Sequence, residues 1–383
     1  MRTWLLLLFA LLAGCAGPQR LTQTTESLFD DALFAAPSVR VGIEEIFAVS
    51  ESMRSYLRQP EIEAQLRRKG APRGLLEALY KTGELRIDYD ASTTRNAAEA
   101  FEARRGNCLS LVVMTAALAR ELDLQVRYRS AYQEETISRN GNLVLRSGHV
   151  NVTLGRRFVD PRFPQYDGMT VDFLPPEELR GLRTQEIDED TVVAMFMNNR
   201  AVEAMVDGRL DDAYAWARAA VQKDPQFVGS VNTLGVIYLR RDALAQAARA
   251  FGHALERAPN NVTALANLAG TYRRLGRVGE AAALQERLAK LEPEQPFRDF
   301  NLGLAAMKRQ DYVAAKDLFA REVARTSDYH EFHYWLGLAN LQLGNDEQAR
   351  RSLARALEAS QTPRDREIYS AKLDWMRARG AAQ

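Results

Sequence analysis

A thiol at the start of a helix is chemistry that a sequence can announce by itself. Gly106-Asn107-Cys108-Leu109-Ser110-Leu111 has that form: Asn107 is a good N-cap, which sets Cys108 in the first turn of the helix that follows. Unpaired amides and the macrodipole at that end favour negative charge on sulfur. The same amides can receive an oxyanion formed on an attacked carbonyl. Such a nucleophile needs a base. Of four histidines in 383 residues, His253, His330 and His333 lie in a repeated C-terminal half, and His149 alone lies outside it. The stretch Ser147 to Leu154 alternates as a strand, with Val150, Val152 and Leu154 on one face and His149, Asn151 and Thr153 on the other. Gly155-Arg156 reads as a hairpin turn into Arg157-Phe158-Val159-Asp160-Pro161. A turn centred there pairs Asp160 across from Asn151 and diagonal to His149, within reach of an imidazole nitrogen. Cys108, His149 and Asp160 thus supply nucleophile, base and orienting acid for thiol acyl transfer.

The flanking elements must hold these groups. Residues 21–80 read as amphipathic helices, for example Ile43 to Leu57 and Leu75 to Tyr80, and Leu85 to Tyr89 alternates like a short strand. Asn96-Ala-Ala-Glu99 is a capping-box start for a short helix that Gly106 ends. The helix from Cys108 to Leu122 is apolar nearly all round and is therefore a central buried element. Gly-Asn-Cys opening a buried helix, a histidine beginning a strand and Val-Asp-Pro ending the next resembles the transglutaminase-like fold of papain-type enzymes, over about residues 85 to 165. By that resemblance Cys108 is the nucleophile, His149 the general base and then acid, and Asp160 the orienter. The family's aromatic oxyanion helper and the calcium sites of its animal enzymes have no recognisable counterpart.

The C-terminal half repeats. Pro225, Pro259 and Pro293 are 34 residues apart, and a frame of that length starts units at Ala194, Val228, Val262, Pro296 and His330. The second unit carries Val231, Leu234, Gly235, Tyr238, Ala247, Phe251, Ala254 and Pro259, and the third repeats the pattern from Leu265 to Pro293. This resembles the tetratricopeptide repeat, two antiparallel helices per unit stacked into a solenoid with a concave groove. The sixth position holds Asn199, Thr233, Asn267, Asn301 and Trp335. Asn199, Asn267 and Asn301 are candidates to hold an extended peptide backbone, although Asn before Leu-Gly is also ordinary filler in such repeats. His330 and His333 share a helix face but lack further ligands, so no metal site is assigned. Residues 364–383 read as a capping helix and tail.

The N-terminus reads as an address. Arg2, an apolar run from Trp4 to Leu12 and the tetrad Leu12-Ala13-Gly14-Cys15 form a basic start, an apolar core and a small-residue cut site. The tetrad resembles the lipobox of bacterial lipoproteins, which implies a signal over 1–14, acylation of Cys15 and a tether over 15–24. Alanine at position 16 implies, by the same resemblance, the outer membrane with the body in the periplasm. Without residues 1–14 basic and acidic side chains balance at 50 each, which argues against nucleic acid as a partner. Composition, 46% apolar and 26% charged, is globular. No calcium-loop, phosphate-loop or C-x-x-C motif is present, and no cofactor is implied. The expected architecture is α+β: a papain-like cysteine domain over 25–185, its Cys helix packed on an antiparallel sheet, followed by an all-α solenoid of five repeats over 194–363. The expected activity is a thiol peptidase or amidase, with the repeats binding a polypeptide substrate or envelope partner. Cross-linking acyl transfer and an inactive scaffold are the alternatives.

Overall fold

Side-chain caps decide where the helices of the N-terminal half begin. In the computed structural model, which describes residues 25–80, 87–90, 93–140, 143–155, 168–173, 184–291, 297–360 and 363–381 (over 131–148 the backbone only), Ser50 accepts from the Met53 amide and opens α1 (Glu51–Leu57). Pro60 then starts α2 (Pro60–Lys69), and α3 (Ala71–Tyr80) follows. The expected helix from Ile43 therefore begins only at Glu51, where the serine supplies a cap, and the preceding residues form turns. Residues 25–28 and 31–33 are short 3-10 turns. A parallel pair, β1 (Asp88–Tyr89) and β2 (Arg105–Gly106), brackets α4 (Ala97–Ala103), whose Asn96/Glu99 capping box is complete. That helix ends at Arg104, in the left-handed conformation at φ 53°, rather than at Gly106.

Asn107 caps α5 (Cys108–Glu121), and every residue from Leu109 to Ala119 is buried. Each large apolar side chain in such a helix contributes about 1.5–3 kcal/mol relative to exposure, so α5 anchors the core. It packs on an antiparallel sheet of order β5-β4-β3-β6, formed by β3 (Gln125–Asn140), β4 (Leu143–Gly155), β5 (Met169–Val171) and β6 (Thr184–Ile187). The β3–β4 register shifts between Ala131 and Thr136, next to His149. Bulges of this kind bend a strand and re-aim its side chains.

Helices α6 (Glu189–Val206), α7 (Leu210–Lys223), α8 (Val228–Arg240), α9 (Leu244–Arg257), α10 (Val262–Arg274), α11 (Val278–Leu291), α12 (Arg298–Lys308), α13 (Tyr312–Arg325), α14 (His330–Gln342) and α15 (Asp346–Glu358) pack as successive antiparallel pairs, and α16 (Pro363–Ala381) packs on α15. The 34-residue period is visible in the backbone. Gly208, Asp242, Gly276, Gln310 and Gly344 occupy the turn within each pair at φ between 61° and 79°. Where the paired helices cross, a Cβ on Gly235 or Gly303 would lie 2.5 Å from the Phe251 or Phe319 ring, so only glycine admits the aromatic.

Candidate active site

Cys108 emerges at the N-terminus of α5, partly exposed, and is the free cysteine among the described residues. Asn107 Oδ1 accepts from the Ser110 amide at 2.9 Å and its carbonyl from the Leu111 amide. The amides of Cys108 and Leu109 fall in the first turn, where a helix offers no internal acceptor.

His149, Asn151 and Thr153 share one face of β4, as the alternation requires, and all three are buried. His149 Nε2 lies 2.6 Å from Asp172 Oδ1, as a close ion pair that is not aligned as a linear hydrogen bond. Asn151 Nδ2 donates to the other Asp172 oxygen at 3.0 Å. One step further along, the Thr153 and Thr170 hydroxyls are hydrogen-bonded at 2.9 Å. Asp172 is thus held between His149 and Asn151, which fixes the imidazole ring. With Nε2 facing the carboxylate, Nδ1 is the ring nitrogen left for sulfur, and Cys108 is close enough to His149 to raise its pKa. Burial pushes the His149 pKa down, but the adjoining Asp172 carboxylate and Cys108 sulfur outweigh it and lift the value to about 9. An imidazole inclined to hold its proton between a carboxylate and sulfur is the charge partner that an activated cysteine requires.

The structure brings together two of the residues expected from the sequence, Cys108 and His149. Asp160, the third, lies outside the described residues, and the carboxylate on His149 is Asp172. In the β4–β5 register Val152 faces Val171, so Asp172 falls level with Asn151 and diagonal to His149, the position assigned to Asp160. The sequence signal for it is the short alternation Met169-Thr170-Val171-Asp172, which a tight turn at Gly155-Arg156 does not bring to β4. Cys15 also lies outside the described residues. Of the solenoid asparagines, Asn267 is engaged between repeats, its Nδ2 donating to Asn232 at 3.0 Å, whereas Asn199 is half-buried and Asn301 exposed. His330 and His333 are used structurally: His330 Nδ1 meets the Tyr369 hydroxyl at 2.7 Å, and His333 Nε2 the Ser327 carbonyl at 2.6 Å.

Comparison with known proteins agrees with this division of the chain. Residues 61–160 match the transglutaminase-like superfamily, and residues 232–296 and 300–363 match the tetratricopeptide repeat. No curated protein matches. Among solved structures, the chain is similar to TTC0263, a thermophilic repeat protein of Thermus thermophilus, at 19% identity over 47% of this chain and 98% of that one (TM-score 0.34). It is also similar to MamA at 17% identity, over 45% and 96% (TM-score 0.26). A third is YrrB, described as a repeat protein with an unusual peptide-binding site, at 19% identity over 47% and 92% (TM-score 0.26). The chain joins a transglutaminase-like domain to a helical tetratricopeptide solenoid.

Proposed function

We propose that this protein is a thiol hydrolase acting on amide bonds of a polypeptide, with Cys108 as nucleophile, His149 as base and then acid, and Asp172 as the residue that orients His149. The observation that carries the reading is the chain from thiol to imidazole to carboxylate, with the last link at 2.6 Å. His149 holds the proton taken from the Cys108 thiol, and the thiolate adds to a carbonyl carbon. The oxyanion is received at the first turn of α5, by the Cys108 and Leu109 amides. Collapse breaks the C–N bond as His149 returns its proton to the leaving amine, and a thioester remains. Water then attacks the thioester, giving its proton to His149, and the acid departs as the thiol is restored. The solenoid supplies a binding surface for the polypeptide or for a protein partner. We further propose that Cys15 is acylated and tethers the body at the outer membrane, facing the periplasm, since more than one acyl chain holds a protein stably.

The test is alkylation and trapping. Cys108 is expected to react with iodoacetamide at pH ~6 faster than free cysteine does, and His149→Ala is expected to slow it. A Cys108 adduct captured from periplasmic extract and identified by mass spectrometry then names the acyl group. Incorporation of a labelled primary amine into a glutamine donor, without cleavage, would replace hydrolysis by cross-linking. A thiol no faster than free cysteine, and indifferent to His149, would leave a scaffold lipoprotein.

A further inference from the structure

The first solenoid helix reaches the cap of the nucleophile's helix. Glu203, on α6, accepts the Thr94 amide on Oε1 at 2.7 Å. Arg200, one turn earlier, donates to the Thr94 carbonyl at 3.2 Å and to Glu203 Oε2 at 3.0 Å. Thr94 is buried, and its hydroxyl oxygen accepts from Asn107 Nδ2 at 2.8 Å. That bond decides which way the Asn107 amide points: nitrogen to Thr94, and oxygen to the amide and hydroxyl of Ser110, each at 2.9 Å. The Ser110 hydroxyl in turn accepts the Arg95 amide at 2.8 Å, so the loop is pinned on both sides of the cap.

We propose that Glu203 and Arg200 are positioning residues for Cys108, acting through Thr94 and Asn107, so that the first repeat holds the nucleophile in register with His149. The proposal rests on the reading of Cys108 as the nucleophile. Its logic is positional. Glu203 and Arg200 hold the Thr94 amide and carbonyl from both sides, which places the Thr94 hydroxyl oxygen where it accepts from Asn107 Nδ2. Reversal of the Asn107 amide would turn a donor toward the Ser110 amide and remove the cap. The charged groups on the network are Glu203 and Arg200 at one end and Arg95, paired with Asp90 beside Arg105, on the pinned loop; at the other, Cys108 faces His149, with Asp172 behind it. Helix α6 begins the repeats, so anything that shifts it on binding a polypeptide moves the Thr94 loop with it.

The experiment is the pH profile of Cys108 alkylation by iodoacetamide in the full chain, read by mass spectrometry on the Cys108 peptide. Thr94→Val keeps the shape and removes the hydroxyl; Glu203→Ala removes the acceptor of the Thr94 amide; Thr94→Ser restores the hydroxyl. The first two are expected to move the alkylation midpoint to higher pH by about one unit, which is a tenfold slower reaction below the midpoint, and Thr94→Ser to return the wild-type profile. Should Glu203→Ala fail to fold, Thr94→Val and Thr94→Ser decide. Variants that lose melting temperature but keep the wild-type profile show a purely structural network and overturn the proposal. If wild-type Cys108 itself reacts like free cysteine, the reading beneath fails and the proposal with it; a fast wild-type thiol with unmoved variants sinks the proposal alone.

Discussion

Asp172 fixes His149, and its removal separates two roles that a carboxylate can play at this site. With Asp172 replaced by alanine, Nε2 loses its nearby charge and Asn151 its acceptor, and the ring is free to turn away from sulfur. Asp172→Ala is expected to slow Cys108 alkylation at pH ~6 by about tenfold or more, while Asp160→Ala leaves the rate near wild type; equal effects of the two would overturn the assignment. The same contact links pH to stability. The folded-state pKa of His149 is raised from 6.5 to about 9. The stabilisation is therefore complete below the unfolded value and is lost as pH rises through about 9. Urea unfolding is expected to show the deficit of Asp172→Asn largest at pH ~6 and smaller by about 2 kcal/mol or more at pH ~10. At this scale the thiol and the imidazole were legible in sequence, because His149 is the single histidine outside the repeats and Cys108 the single cysteine beyond the expected lipidation site. The carboxylate beside His149 was not, because the place of Asp172 depends on the length of a connection between strands, and residue types alone do not set that length.

At the scale of elements, the N-terminus of α5 depends on how closely the chain before it can approach. A Cβ built on Gly106 would lie 2.6 Å from Ser110 Cβ, closer than two carbons can come without a shift of backbone. Gly106→Ala therefore pushes β2 away from the first turn of α5, and the cost of such overpacking is about 1–3 kcal/mol. Asn107→Ala removes the cap itself, at about 1 kcal/mol, and also releases Thr94. Both variants are expected to lose stability by calorimetry; Asn107→Ala should also slow alkylation of Cys108, whereas Asn107→Asp, which still accepts from Ser110, should retain the helix start. The cap, the capping box at Asn96 and the buried α5 could be read from local spacing, because each is decided within four residues. The role of Gly106 was misread as a helix stop. Left-handed Arg104 ends α4 instead, and the glycine is required by a side chain four residues ahead.

For the whole molecule, the repeats were legible because one turn geometry recurs every 34 residues, but the segment that precedes the thiol domain was not. It crosses the chain to pack on the first two repeats. The Tyr214 hydroxyl accepts the Asp30 amide at 3.0 Å and donates to Asp31 at 2.7 Å, and the Tyr238 hydroxyl donates to the Leu28 carbonyl at 2.8 Å. Phe34 stacks on Tyr214 with centroids 3.9 Å apart, and Asp212 accepts both the amide and the hydroxyl of Ser38. These contacts join residues more than 170 positions apart, which no window of sequence can reveal. They also clamp the solenoid to the stretch that follows the expected tether. Breaking the clamp at one atom isolates its effect from packing: Tyr214→Phe keeps the ring and its stack but strips two hydrogen bonds, at about 1–2 kcal/mol. Hydrogen exchange is expected to show the Asp30 amide protected in the wild type and fast in the variant. The first two repeats should melt earlier by the corresponding amount, because Leu28 is buried and its carbonyl bonded to Tyr238 of α8 only while the segment is docked. If the Asp30 amide exchanges freely in the wild type, the segment is not held there in solution, and the solenoid stands without it.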